Sequence, residues 1–499
     1  MLQYQSTRGL ERNVSASAAI VSGIAKDGGL YVPSEFPHLP KSIKEYASMS
    51  YQDLAKEIMA LYFTDFSAEE IEACVKKAYG EQFDTPEIAP VKKHGKYYFL
   101  ELFHGPTYAF KDMALQILPH LMTVAMKKQG IDKQVLILTA TSGDTGKAAM
   151  EGFADVNKTQ IIVFYPKDGV SFIQEYQMCT QTGNNLAVMG IEGNFDDAQN
   201  GVKQLFADND FLEKLSEQGL LVSSANSINI GRLIPQVVYY IYAYTRLLKQ
   251  GELQDGELLD VVVPTGNFGN ILAAYYARKM GLPIGVLLSA SNENKVIADF
   301  MKENVYDRNR AMHLTKSPSM DILISSNLER LLYDIAETEK VKTYMEQLQE
   351  QGKYQIESQQ RQAMGDFYGE YADEEEVSRS IKAMFDKENY LIDTHTAVAV
   401  AVAEKVDCLR HKTLVVSTAN PYKFASSVLE ALGEAEVKEG FELAEQLFAK
   451  TAVEIPAGIA GLSQMERRFS KTIAKEEMKE AVLGWVMQNL GGNGKNNKI

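Results

Sequence analysis

One lysine, Lys111, ends the stretch HGPTYAFK (104–111), beside Phe110 and Tyr108 and just ahead of an amphipathic helical pattern. An amine held in an apolar collar loses hydration, so its pKa falls and the neutral form can attack a carbonyl carbon. Alone, a lysine at a helix start reads equally as a solvated surface residue. Two glycine loops change its setting. TGNFGN (265–270) follows the apolar run LLDVVVP (258–264) and leads into a helix beginning near Asn270. Gly266 and Gly269 carry no Cβ, so backbone can approach a ligand closely. The unpaired N–H groups and positive dipole end of the following helix suit a phosphate dianion. A plain strand-to-helix turn fits the same residues, and the pattern is not the GxGxxG of dinucleotide sites.

The second loop, TSGDTGK (141–147), follows QVLILTA (134–140). A nucleotide-binding P-loop needs Gly five residues before the Gly-Lys pair and Ser or Thr after it. Thr141 and Ala148 occupy those places, which argues against a triphosphate. What remains is a loop rich in hydroxyl and N–H groups at a helix start, suited to a carboxylate. An amine, an anion loop and a carboxylate loop are the parts that hold pyridoxal phosphate (PLP) and an amino acid. A third loop, TANPYKF (418–424), follows KTLVVST (412–418).

These loops need strands to carry them. Short apolar β-branched runs alternate with helical patterns from about residue 91 onward, as expected of parallel sheets covered by helices on both faces. Ligands bind such sheets beyond the carboxyl ends of the strands, where all three loops fall. The fold class is therefore α/β. Residues 1–94 read as a mostly helical lead-in, with a capping box formed by Ser67 and Glu70. Residues 95–435 form the α/β core in two subdomains, interrupted at about 300–390 by a polar, charged segment read as a helical insertion. Residues 436–499 form a helical C-terminal region whose last residues, 491–499, have the composition of a disordered tail.

The chain has 499 residues, enough for several domains, and a formal net charge of −15. That charge argues against nucleic acid and anionic membranes as partners, while leaving room for a positive pocket that takes an anionic small molecule. Three scattered cysteines, Cys74, Cys179 and Cys408, give neither a zinc pattern nor a disulfide framework, and no metal is expected. With no run of about 18 apolar residues and no apolar leader, a cytoplasmic protein is expected. The sequence leaves the choice of monomer or homodimer open.

Taken together, STRG (6–9), FHGPTYAFKDMALQ (103–116), TATSGDTGKAAMEGF (139–153), NSINIGRLIPQ (226–236), PTGNFGNILAAYYARKMGLP (264–283), SPSMDILISSNLERLL (317–332), DTHTAVAV (393–400) and STANPYKF (417–424) resemble the threonine synthase family. That family lies within the tryptophan-synthase-β-like, fold type II, PLP enzymes. The stretches fall in the family's order over nearly the whole chain. Asn420 stands where the family pattern has His, and Tyr108 is a variable position.

The resemblance implies a lyase of threonine biosynthesis that converts O-phosphohomoserine and water to threonine and phosphate. By resemblance, Lys111 is the catalytic residue and covalent anchor of PLP. Gly266, Asn267, Phe268, Gly269 and Asn270 cradle the cofactor phosphate, and Thr418 lies near the pyridine nitrogen. Ser142, Gly143, Asp144, Thr145 and Gly146 receive the substrate carboxylate. Asn226, Ser227, Asn229 and Arg232 help to hold the substrate phosphate, Arg232 through its planar fork of donors. Two other outcomes share these motifs: a threonine-synthase-like phospholyase releasing 2-oxobutyrate, and a non-catalytic PLP-binding relative. A closing lid is expected to control water entry.

Overall fold

The computed structural model describes residues 1–491. The expected tail at 491–499 lies outside these, apart from Gly491, where the helix Met478–Gly491 ends.

Two sheets dominate. The first has five strands in the order Thr472–Ala474, Leu186–Glu192, Thr159–Pro166, Gln134–Ala140 and Leu220–Ser223, all parallel. The second has six, in the order Phe367–Tyr371, Ile284–Ser291, Leu259–Pro264, Lys412–Ser417, Tyr97–Glu101 and Val91–His94. Only Val91–His94 runs antiparallel in it. It pairs with its neighbour through a tight turn at Gly95, whose φ of +59° favours a residue without Cβ. The central strands carry apolar runs because both faces are covered: Val261, Val262 and Val263 are each fully buried.

The helix Ile230–Lys249 is sequestered along almost its whole length, so its sequence is mostly apolar or aromatic. The N-terminal helix Tyr51–Tyr62 buries Leu54, Ile58 and Tyr62. Tyr51 meets Tyr242 of the long helix edge to face, 5.2 Å between ring centroids. That lead-in is not wholly helical, because Tyr4–Ser6 and Tyr31–Pro33 form a small antiparallel sheet.

The segment at about 300–390 corrects the expectation of a helical insertion. It contains helices such as Thr338–Gln351 and Glu374–Glu388, but also three strands. Val305–Asp307 and Lys353–Gln355 pair with each other, and Phe367–Tyr371 extends the six-stranded sheet beside Ile284–Ser291. An edge strand is covered on fewer sides, so the mixed sequence FYGEY lacks the apolar run that marks the central strands. The C-terminal region likewise contributes a strand, Thr472–Ala474, to the edge of the five-stranded sheet. No helix among the described residues is long and apolar enough to cross a membrane.

Candidate active site

Loops at the carboxyl ends of strands from both sheets converge on one cleft. Its lining includes Lys111, Asp144, Ser227, Arg232, the loop 266–270, Ser319, His395 and Thr418. After Tyr97–Glu101 the chain turns through residues 105–110. Thr107 fixes this turn by donating from its N–H and its hydroxyl to Asp112, each at 2.8 Å. Phe110 N–H donates to the carbonyl of Thr418 at 2.8 Å. Lys111 is thereby placed at the start of the helix Asp112–Leu115. Its Nζ sits 4.4 Å from the Phe110 ring centroid. Among the described residues the Lys111 ammonium has no hydrogen-bond or ion-pair partner. Burial, and next the cation of Arg232, bring its pKa down to about 8.

The loop 266–270 is a cradle of free donors. None of its five backbone N–H groups has an acceptor among the described residues. A Cβ on Gly266 would lie 2.8 Å from the carbonyl oxygen of Ser319, whereas one on Gly269 would meet nothing closer than 3.5 Å. The left-handed position is neither glycine but Phe268, at φ +63°. Packing holds it there: the residue is 1% exposed, and its ring stacks on Phe367 at 5.8 Å. The helix Gly269–Lys279 begins at once. The side-chain oxygen of Asn270 accepts from Tyr239 at 2.8 Å and from Tyr240. Its amide nitrogen is buried without a partner, and the residue lines the cleft.

In the loop 142–146, the Thr141 hydroxyl accepts from the N–H groups of Gly143, at 3.0 Å, and Gly146, at 2.8 Å. The N–H groups of Ser142, Asp144 and Thr145 are left free among the described residues. Asp144 of this loop lines the cleft beside Lys111. Its carboxylate meets the ammonium of Lys423 at 2.7 Å and the amide of Gln174 at 2.9 Å. Burial opposes its ionisation, but Lys423 and Gln174 outweigh burial and hold the pKa below the usual range.

The segment 226–232 divides. Arg232 is 3% exposed and lines the cleft. Its Nη1 donates to the carbonyl of Ala225 at 2.9 Å, its Nε has no partner, and no carboxylate pairs with it among the described residues. Ser227 lines the same cleft. Asn226 stands back from it, accepting from the Thr139 hydroxyl at 3.0 Å. Asn229 is not brought to the cleft. It caps the helix Ile230–Lys249 by accepting from Gly231 N–H at 2.9 Å, and it donates to the carbonyl of Ile20 at 3.0 Å. Both ends of its amide are thus used by the fold. Thr418 presents a hydroxyl that has no partner among the described residues.

The sequence motifs gave no role to two residues that the structure puts here. His395 is 3% exposed. Its Nδ1 lies 2.9 Å from Asp393, and its Nε2 accepts from Ser319 N–H at 3.3 Å. The signal for it is an Asp-x-His at a helix start, since Asp393 also caps Thr394–Lys405. Lys423 was visible in STANPYKF, but its partner Asp144 lies far away in sequence.

The residues fit PLP. Free backbone donors and the orphaned Asn270 amide suit its phosphate, a desolvated lysine suits its aldehyde, and Thr418 offers a neutral hydroxyl partner.

Comparisons with known proteins agree. The family models described as threonine synthase N terminus, pyridoxal-phosphate dependent enzyme and threonine synthase C-terminal match residues 3–79, 84–418 and 396–482. Threonine synthase-like 1 of Macaca fascicularis is 41% identical over 86% of this chain, which spans only 60% of that relative's length. Threonine synthase of Saccharomyces cerevisiae is 36% identical over 86% of this chain and 89% of its own. The PLP-bound threonine synthase structure from Brucella melitensis superposes with a TM-score of 0.87 and 34% identity, covering 99% of this chain and 100% of that one. By these matches, the chain belongs to the threonine synthase family of PLP-dependent enzymes.

Proposed function

We propose that the protein converts O-phosphohomoserine and water to threonine and inorganic phosphate. The observation that carries this reading is the presence of two separate donor sets around Lys111. One is the run of free N–H groups at 266–270. The other is the buried Arg232 guanidinium, which has no anionic partner among the described residues. One set suits the phosphate of the cofactor and the other a phosphate on the substrate. A simple dehydratase has no use for the second.

In this reading Gly266, Asn267, Phe268, Gly269 and Asn270 hold the cofactor phosphate, and Thr418 meets the ring nitrogen. When bound, PLP supplies an electron sink that acidifies the hydrogens next to the substrate nitrogen. Lys111 Nζ would take the proton from the substrate's Cα, a task suited to an amine whose pKa lies near the working pH. The free N–H groups of Ser142, Asp144 and Thr145 bind the substrate carboxylate, with Gly143 and Gly146 shaping their turn. Arg232 and Ser227 bind the leaving phosphate and offset its charge as it departs from Cγ, and Asn226 supports their segment. Phe110 and Met320 help to wall the cleft and limit water to the late addition at Cβ.

The test is product analysis on purified protein supplied with PLP and O-phosphohomoserine. Equal yields of threonine and phosphate are expected. Release of 2-oxobutyrate with ammonia would place the protein among phospholyases, and no phosphate release would overturn both readings.

A further inference from the structure

The segment SSNLER (325–330) touches neither Lys111 nor, in the reading above, any ligand, yet it reaches both anion-binding stretches. Asn327 is fully buried. Its backbone N–H donates to the carbonyl of Asn267 at 3.1 Å, and its amide nitrogen donates to the same carbonyl at 3.0 Å. That amide nitrogen also donates to the hydroxyl oxygen of Ser227 at 3.3 Å. One side chain therefore bonds the loop 266–270 on one side and the segment 226–232 on the other. Ser325 adds a bond from its hydroxyl to the carbonyl of Gly266 at 2.8 Å.

The amide cannot turn around. Its oxygen accepts from Nη1 of Arg330, and a guanidinium can only donate. Arg330 is itself fully enclosed, donating to the carbonyl of Tyr31 at 2.9 Å and to that of Ile228 at 2.6 Å. The next residue back, Glu329, is gripped by Arg8 at 3.0 Å and by Thr7. The STRG stretch and the strand Tyr31–Pro33 thus set the register of Asn327. Because Ser227 accepts from Asn327, its own proton is free to point into the cleft.

We infer that Asn327 is a positioning residue that ties the two anion sites together, fixing the separation of the cofactor phosphate from the substrate phosphate. This inference rests on the placement of those two phosphates given above. It predicts that breaking the tie weakens anion binding at both places without touching either ligand.

The experiment uses Asn327→Ala, Asn327→Asp, Ser227→Ala and the double variant Asn327→Ala/Ser227→Ala. The Asp variant keeps an acceptor for Arg330 while losing the donor, so it guards against simple unfolding. Inorganic phosphate is titrated into the PLP-loaded protein by calorimetry, and PLP is titrated into the apoprotein by absorbance. Both Asn327 variants are expected to lose about tenfold in phosphate affinity and to bind PLP several-fold more weakly. Ser227→Ala is expected to weaken phosphate alone, and the double variant to lose less than the two single losses combined. A lowered melting temperature with both affinities unchanged would make Asn327 a purely structural residue and overturn the tie. Arg232→Ala separates the layers. If it weakens phosphate and Asn327→Asp does not, the tie alone fails. If Arg232→Ala leaves phosphate binding unchanged, the placement of the substrate phosphate fails and the tie's role falls with it.

Discussion

The ammonium of Lys423 lies 2.7 Å from Asp144 Oδ1, with the lysine side chain fully sealed from solvent. It also donates to the carbonyl of Thr107 at 2.8 Å. This one cation therefore joins the Lys111 turn, the 142–146 loop and the loop that follows Lys412–Ser417.

Removing that cation strands a buried carboxylate. Lys423→Met should destabilise the fold by about 3–5 kcal/mol, the usual cost of breaking one side of a buried pair. Adding Asp144→Asn should recover part of the loss, because no charge then remains unpaired. Asp144 has a depressed pKa, so its contribution is present above the unfolded carboxyl pKa and lost as pH falls through the lower folded value. Melting temperatures of wild type and both variants across the acid range check this. Equal acid sensitivity in wild type and Lys423→Met would refute it.

His104 carries the opposite dependence. Burial works against its charge, but Asp84 at 2.6 Å and Glu101 at 3.0 Å outweigh burial and raise its pKa to about 9. A raised pKa means stability that is fully present below the unfolded value of 6.5 and lost as pH climbs through about 9. Wild-type melting temperature should fall over that window. In His104→Gln the fall should be much smaller, and an identical fall in both proteins would remove His104 as its source.

The amine at the centre of the cleft gives a third test. Lys111→Ala should abolish the absorbance band of lysine-bound PLP while leaving some non-covalent PLP at 266–270. In wild type, the rate of covalent PLP attachment to the apoprotein should rise through about pH 8. After burial, the positive charge of Arg232 is the largest cause of the lowered pKa, so Arg232→Ala should move the midpoint upward. A midpoint unmoved by Arg232→Ala would remove Arg232 as a cause and leave burial and the charge of Lys423 to lower it.

The two glycines of the anion loop should behave differently. Gly266→Ala puts a methyl 2.8 Å from the backbone carbonyl of Ser319, and backbone cannot yield cheaply; Gly269→Ala meets only an ordinary contact at 3.5 Å. PLP affinity should therefore drop about tenfold or more in the first and little in the second. Equal affinities for both variants would mean the 317–320 wall adjusts freely.

Much of this was legible in the chain. Apolar runs followed by Gly-rich turns located the strands Gln134–Ala140 and Leu259–Pro264 and the loops beyond them, because a strand covered on both faces must be apolar along its length. The edge strand Phe367–Tyr371 escaped because an edge needs no such run. Glycine content pointed to Gly266 and Gly269 as the special backbone positions, yet the left-handed residue is Phe268, held by burial that only the assembled fold provides. Asn229 looks as suited to a ligand as Ser227 does, and only the structure shows that its amide is used by Gly231 and Ile20. Lys423, His395 and Asn327 gain their meaning from partners up to 316 positions away, and periodicity carries no information about those.

The strand Thr472–Ala474 has a consequence for how the chain is made. It covers the outer edge of Leu186–Glu192, nearly three hundred residues earlier in the chain. During synthesis from the N-terminus, that apolar edge waits bare while the rest of the second sheet is still being translated, open to pairing with another nascent copy. Closure of so long a loop also makes this pairing late and slow. A chain ended before residue 472 keeps every residue of the cleft and lacks the piece that shields this edge. Its failure would be one of solubility before it was one of chemistry.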